Sequence, residues 1–109
     1  MPKNTVSLDD KFALDETRQL LTGTQAIVRL MLTQRARDVK AGLNTAGYVT
    51  GYRGSPIASL ESAMLRARGI LEPNHIKFMA GLNEDLAATA LWGSQQAELR
   101  GEGKYDGVF

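Results

Sequence analysis

Apolar residues recur at helical spacing in three stretches of this chain and alternate with other residues in a short segment between them. The first helical stretch runs from Gln25 to about Lys40. Ile27, Leu30, Met31 and Gln34 share one face, and Val28, Leu32, Ala36 and Val39 widen the stripe, so this helix is expected to be covered on more than one side. Thr24 stands where an N-cap belongs, and Ala41-Gly42 supplies a glycine just past the end. Arg35, Arg37, Asp38 and Lys40 read as a solvated helix end. Tyr48, Thr50 and Tyr52 alternate with Val49, which predicts a strand over 48–52. A second helix follows from about Ile57 to Ile70, with Leu60, Met64, Ala67 and Leu71 on its buried face. Ser55 reads as its cap and Pro56 as its first residue. Glu61 has no basic partner at the favoured spacing in that helix.

His75, for which a structural role is expected, opens a short strand over 76–79. The third helix runs from Glu84 to about Arg100. It places Leu86, Ala87, Ala90, Leu91 and Ser94 on one face, with Trp92 expected in the core and Asn83 at the cap. Val108 and Phe109 look like the start of one more buried strand. Helices and strands alternating through short turns predict an α/β fold, a three-layer open parallel sheet with crossover helices. Residues 1–16 are polar and read as a partly ordered arm. Its apolar residues Val6, Leu8, Phe12 and Leu14 are spaced to lie along a neighbour. The domain then covers 17–109. Because a natural domain seldom stops on the first residues of a core strand, the chain reads as the front piece of a longer one.

Composition narrows the chemistry. Hydrophobic content of 43% and charged content of 23% are ordinary for a folded α/β or α protein of 109 residues. The net charge of +1 is spread along the chain and gives no electrostatic case for a nucleic-acid or membrane partner. There is no cysteine and a single histidine, so thiolate nucleophiles, iron–sulfur ligands and zinc clusters of those residues are excluded from this segment. No apolar run approaches the roughly 20 residues of a membrane helix, and the acidic N-terminus lacks the pattern of a signal peptide. The expected compartment is the cytoplasm.

Two strand-to-helix turns remain as the places for chemistry, since ligands of open parallel sheets bind at the carboxyl ends of strands. One is Gly51-Tyr52-Arg53-Gly54-Ser55-Pro56, in which Gly54 is free to take unusual backbone angles; the other is Gly81-Leu82-Asn83-Glu84-Asp85. Neither carries a dinucleotide or Walker-type phosphate motif. Read by pattern alone, Glu84 and Asp85 complement the positive end of a helix dipole.

Six blocks resemble the N-terminus of indolepyruvate ferredoxin oxidoreductase, in its long fused form. They are Val6-Ser-Leu-Asp-Asp-Lys11, Leu21-Thr-Gly-Thr-Gln-Ala26, Ala41-Gly-Leu-Asn-Thr-Ala-Gly47, Gly51-Tyr-Arg-Gly-Ser-Pro56, Asn83-Glu-Asp-Leu-Ala-Ala-Thr-Ala90 and Tyr105-Asp-Gly-Val-Phe109. The resemblance implies an incomplete thiamine diphosphate-binding domain of the pyrimidine type. Glu84 matches the family's cofactor-activating glutamate, whose carboxyl bonds the aminopyrimidine ring nitrogen N1′. Tyr52, Gly54 and Ser55 fall at cofactor-binding positions, and Arg53 and Ser55 at candidate contacts to the substrate carboxylate. The implied activity is oxidative decarboxylation of indolepyruvate or another aryl 2-oxo acid to an acyl-CoA, with reduction of ferredoxin, by a homo-oligomer. Mg²⁺ and [4Fe-4S] clusters are expected only in the remaining domains of the longer chain.

Burial against an apolar ring would raise the pKa of Glu84 and the helix dipole would lower it; sequence leaves that balance open. Ala58-Ser59 stands where the family tends to have a glycine pair, and Ala80 where it tends to have proline. The rival reading is a non-catalytic α/β binding or assembly module.

Overall fold

Two parallel strands carry the architecture. β1 (Gly47–Gly51) pairs with β2 (Ile76–Ala80) in the register Gly47↔Ile76 to Gly51↔Ala80. A computed structural model describes residues 7–15 and 18–109; the expectation for Val6 lies outside the described residues. Strand residues alternate between faces. On one face Val49, Ile76 and Phe78 join Phe12, Val28, Leu32, Met64, Ala67 and Leu71 in the core. On the other face of β2, Lys77 and Met79 are exposed. The fold is α/β, with a two-stranded parallel sheet and four α-helices among the described residues.

The expected last strand is present as a single parallel bridge, Ala46↔Val108, on the other edge of β1. Phe109 donates from its N–H to the Ala46 carbonyl at 2.9 Å, and Tyr48 donates to the Phe109 carbonyl at 2.8 Å. Asn44 and Asp106 clamp the approach. The Asn44 N–H donates to Asp106 Oδ2 at 2.6 Å, and the Asp106 N–H donates to the Asn44 carbonyl at 3.0 Å. The segment expected to begin a buried strand is therefore tied to β1.

α1 spans Gly23–Lys40 and starts from Thr22, not Thr24. Thr22 Oγ1 accepts from the Gln25 N–H at 3.2 Å, and Gln25 Oε1 accepts from the Thr22 N–H at 3.0 Å. This capping box needs a glutamine or glutamate three residues past the cap; Thr24 has Ile27 there, which cannot reach back. Gly42, at φ +81°, closes the helix as expected. Only Val28, Leu32 and Arg35 are buried along α1, while Ile27, Leu30 and Val39 stay exposed. The helix packs against α2 and the 10–12 turn, so a single side is covered among the described residues, contrary to the breadth of its apolar stripe.

Arg35 corrects the solvated-end expectation. Its guanidinium is buried and donates to the Thr45 carbonyl at 2.7 Å, Asn44 Oδ1 at 3.1 Å and His75 Nδ1 at 3.1 Å. It thereby joins the segments that lead into both strands. A guanidinium cannot accept, so His75 Nδ1 is the acceptor in that contact. This supports a structural role for His75, which sits in the left-handed region at φ 59°.

The second helix is shorter than expected. It divides at Ala67 into α2 (Ser59–Arg66) and α3 (Arg68–Leu71), and a 3-10 turn over Glu72–Asn74 follows. Residues 55–58 form turns instead of helix, with Ala58 N–H donating to the Ser55 carbonyl at 3.0 Å. Ser55 therefore does not cap α2. Its Oγ accepts from the Ile57 N–H at 3.3 Å inside the turn, and Pro56 lies ahead of the helix.

α4 spans Glu84–Gln95 and gives way to turns before Arg100. Ala87 is its buried residue; Trp92, expected in the core, is 67% exposed, and Leu86 and Leu91 are exposed too. α4 packs on β1 through its small-residue side, and its bulky residues face outward. No helix among the described residues is long and apolar enough to cross a membrane.

The N-terminal segment is built into the core as well. Phe12 is 8% exposed within the cluster, and Arg29 Nη1 donates to the carbonyls of Lys11 at 3.1 Å and Ala13 at 2.6 Å. Phe12 lies along neighbouring elements, as its spacing allowed, and packs in the core with Val28, Leu32 and Met64. Phe12→Ala is predicted to lower the unfolding free energy by about 3–4 kcal/mol in a urea titration; a loss below about 0.5 kcal/mol would show the segment to be peripheral. Arg35→Met, which orphans the Thr45 carbonyl, is expected to cost about 2–3 kcal/mol in the same titration.

Candidate active site

The strand register brings the two turns together. Gly51 and Ala80 are partners at the carboxyl ends of β1 and β2, and Gly81 extends the ladder by donating to the Gly51 carbonyl at 2.7 Å. A Cβ on Gly81 would lie 3.1 Å from Ala87 Cβ and 3.4 Å from Thr50 Oγ1, so glycine there lets α4 close against β1. Asn83 is the expected cap: its Oδ1 accepts from the Leu86 N–H at 2.9 Å. That cap fixes where α4 begins and presents Glu84 in its first turn.

Tyr52 and Arg53 leave the end of β1 in different directions. The Tyr52 hydroxyl donates to Glu84 Oε1 on α4. Arg53 Nε pairs with Glu61 Oε1 on α2 at 3.4 Å, with the rest of its side chain 89% exposed. Gly54 makes room for the first of these. Its φ is not in the left-handed region, against expectation; a Cβ there would fall 2.7 Å from the Tyr52 ring. The need for glycine at 54 is space for an aromatic ring.

Between the two helices lies a cleft of about 280 Å³. Glu84, Tyr52, Ser55 and Glu61 contribute its polar groups with Thr50, and Ile57, Leu60, Ala87, Ala88 and Leu91 its apolar wall. Of the residues singled out in the sequence, Tyr52, Ser55 and Glu84 thus meet at one place. Arg53 and Gly54 stand in the turn beside it and do not line it. Among the described residues no group of three or more His, Cys, Asp or Glu side chains is placed to hold a metal ion.

Glu61 was read in the sequence only as a carboxylate without a helical partner. It is 9% exposed, and its second oxygen, Oε2, is buried with no hydrogen-bond partner. The available signal was its position three residues before Met64, on the buried stripe of the helix. A carboxylate there demands an explanation.

The open balance at Glu84 resolves downward. The hydrogen bond from Tyr52, and then one from the backbone N–H of Glu84, hold its pKa below the ordinary 4.5, against a small opposing effect of desolvation. The same bond raises Tyr52 above its ordinary 10.0, with desolvation and the nearby negative charge adding to it. The signs follow directly. Glu84 has a lower pKa folded than unfolded, so its contribution to stability is present above the unfolded value and is lost as pH falls through the folded one. Tyr52 has a raised folded pKa, so its part is present below 10.0 and is lost as pH rises through the raised value. The hydrogen bond from the phenol thus extends the ionised range of Glu84 to lower pH.

Tyr52→Phe should move the Glu84 carboxyl pKa up toward 4.5 in an NMR pH titration; an unchanged midpoint would show that the phenol does not set it. Comparison with protein-family models, with curated proteins and with solved structures found no match for the chain, so the functional reading rests on this geometry and on the sequence blocks.

Proposed function

We propose that this chain is part of a thiamine diphosphate-dependent oxidoreductase that decarboxylates indolepyruvate or another aryl 2-oxo acid, forms an acyl-CoA and reduces ferredoxin. The three-layer, pyrimidine-binding form of the α/β fold belongs to the same proposal. The observation that carries it is the meeting of Glu84, Tyr52 and Ser55 in one largely apolar cleft at the carboxyl ends of two parallel strands.

The residues present suit an aminopyrimidine. The apolar wall of Leu60, Ala87 and Leu91 offers a surface for a planar ring, and Glu84 stands at its edge, where its carboxyl can share a proton with a ring nitrogen. Tyr52 keeps that carboxyl oriented until a ligand arrives. An apolar ring packed beside Glu84 would displace water and push its pKa up, so that its proton affinity approaches that of the ring nitrogen. When bound, thiamine diphosphate supplies the nucleophilic carbon and the electron sink of decarboxylation. Ser55 Oγ, which among the described residues accepts from the Ile57 N–H at 3.3 Å, retains its own O–H to donate into the cleft. Arg53, with most of its guanidinium in solvent, is placed to meet the carboxylate of the 2-oxo acid at the mouth. The chain has no cysteine, so iron–sulfur clusters held by thiolates require residues outside these 109. The same holds in this proposal for Mg²⁺ and the diphosphate.

A non-catalytic binding or assembly module is the second reading. The pairing of 107–109 with β1 favours it, because the last strand is not left unpaired. Activity separates the two. In the native protein, Glu84→Gln is predicted to reduce thiamine diphosphate-dependent release of carbon dioxide from indolepyruvate by about 100-fold or more, with an unchanged circular dichroism spectrum. Turnover of the variant within a few-fold of the parent would remove Glu84 from the mechanism.

A further inference from the structure

We infer that Glu61 is a second ligand acceptor in this cleft, and that the cleft selects a positively charged, N–H-donating heteroaromatic over an anionic one. The inference rests on the cofactor reading and adds a residue to which that reading gives no part.

Three observations converge on Glu61. It is 9% exposed, within the first turn of α2, and lines the same cleft as Glu84. Its one ion-pair partner among the described residues, Arg53, is at 3.4 Å from Oε1 through Nε and is itself 89% exposed. Its Oε2 is the one buried side-chain oxygen or nitrogen without a partner among the described residues. A carboxylate that has given up water and received one long contact in exchange is poorly compensated. Such a residue is a liability to the fold unless something else completes its bonding. The terminal torsion of a glutamate is broad and two-fold, so the carboxyl can turn its free oxygen to a donor without leaving the wall of the cleft.

Charge then decides what the donor belongs to. The residues lining the cleft include two carboxylates, Glu61 and Glu84, and no lysine or arginine. An anionic 2-oxo acid entering between them would meet two like charges, so its carboxylate belongs outside, at Arg53. A cationic ligand whose heteroaromatic ring carries an amino group meets two acceptors on different helices and an apolar wall between them. The cleft and the turn therefore divide the work: Glu61 and Glu84 take the cationic heteroaromatic, and Arg53 takes the acid.

The test uses thiamine, a cation without the diphosphate, and phenylpyruvate, an anionic aryl 2-oxo acid, each titrated into the native protein by calorimetry. Glu61→Gln keeps the shape of the side chain and removes its charge. It is expected to weaken thiamine binding about tenfold or more, since a charge-assisted bond is lost, and to change phenylpyruvate binding less than twofold. The melting temperature without ligand should be unchanged or higher, because the uncompensated buried charge is gone. Should the glutamine variant fail to fold, Glu61→Met, which suits the apolar wall, carries the same expectations. Thiamine binding as tight in the variant as in the parent overturns the inference and leaves the role of Glu84 standing. A loss confined to phenylpyruvate also overturns it, by making Glu61 a support for Arg53. A parent protein that does not bind thiamine overturns both the inference and the cofactor reading beneath it.

Discussion

Parallel pairing of β1 with β2 is the constraint on which the rest of the molecule depends. It fixes Gly51 opposite Ala80 and adds the bond from Gly81 to Gly51, so two turns distant in sequence leave the sheet side by side. Everything at the site follows from that adjacency. Tyr52 can reach Glu84 only because α4 starts four residues past the end of β2, capped by Asn83. Slipping the register would separate the phenol from the carboxylate along the strand direction by about 3.3 Å per residue. Arg35 guards this arrangement from the opposite end of the sheet, where it joins Thr45, Asn44 and His75 ahead of the two strands.

The sheet is unevenly covered. Val49, Ile76 and Phe78 face a continuous core built from α1, α2, α3 and Phe12. Beyond the other face stands α4, close to β1 through Ala87 and Gly81 but carrying exposed Leu86, Leu91 and Trp92. The apolar side of α4 and the cleft beside it share Leu91, so the environment of the site extends to the open side of this helix. Burial here supports the strands, while the groups with chemistry stand where the covering thins.

Much of this was legible in the sequence, and the failures have physical causes. The alternation of elements, the strands within one residue at each end, the Asn83 cap and the Gly42 stop follow from local rules of spacing and backbone conformation. The cap of α1 was misplaced because two threonines competed and the deciding residue, Gln25, lies further on. Trp92 was assigned to the core on its size alone, which says nothing about whether anything lies against it. Arg35 and Glu61 were missed for a common reason. Each is a charged residue whose partners come from distant segments, and periodicity on one helix cannot reveal them. Tyr52, Ser55 and Glu84 came from motif resemblance; their convergence needed the sheet register, and the bond that lowers the Glu84 pKa needed the position of the Tyr52 ring over Gly54.

The central claim is that the Glu84 carboxyl, hydrogen-bonded to Tyr52 without ligand, shares a proton with a ring nitrogen of the cofactor. The most direct measurement is the carbon-13 resonance of the Glu84 side-chain carboxyl in the native protein, with and without thiamine diphosphate. The account predicts a shift at Glu84 on addition of the cofactor, as its partner changes from the phenol alone to a ring nitrogen in a drier setting. A Glu84 resonance that stays in place while the protein is saturated with thiamine diphosphate would contradict it.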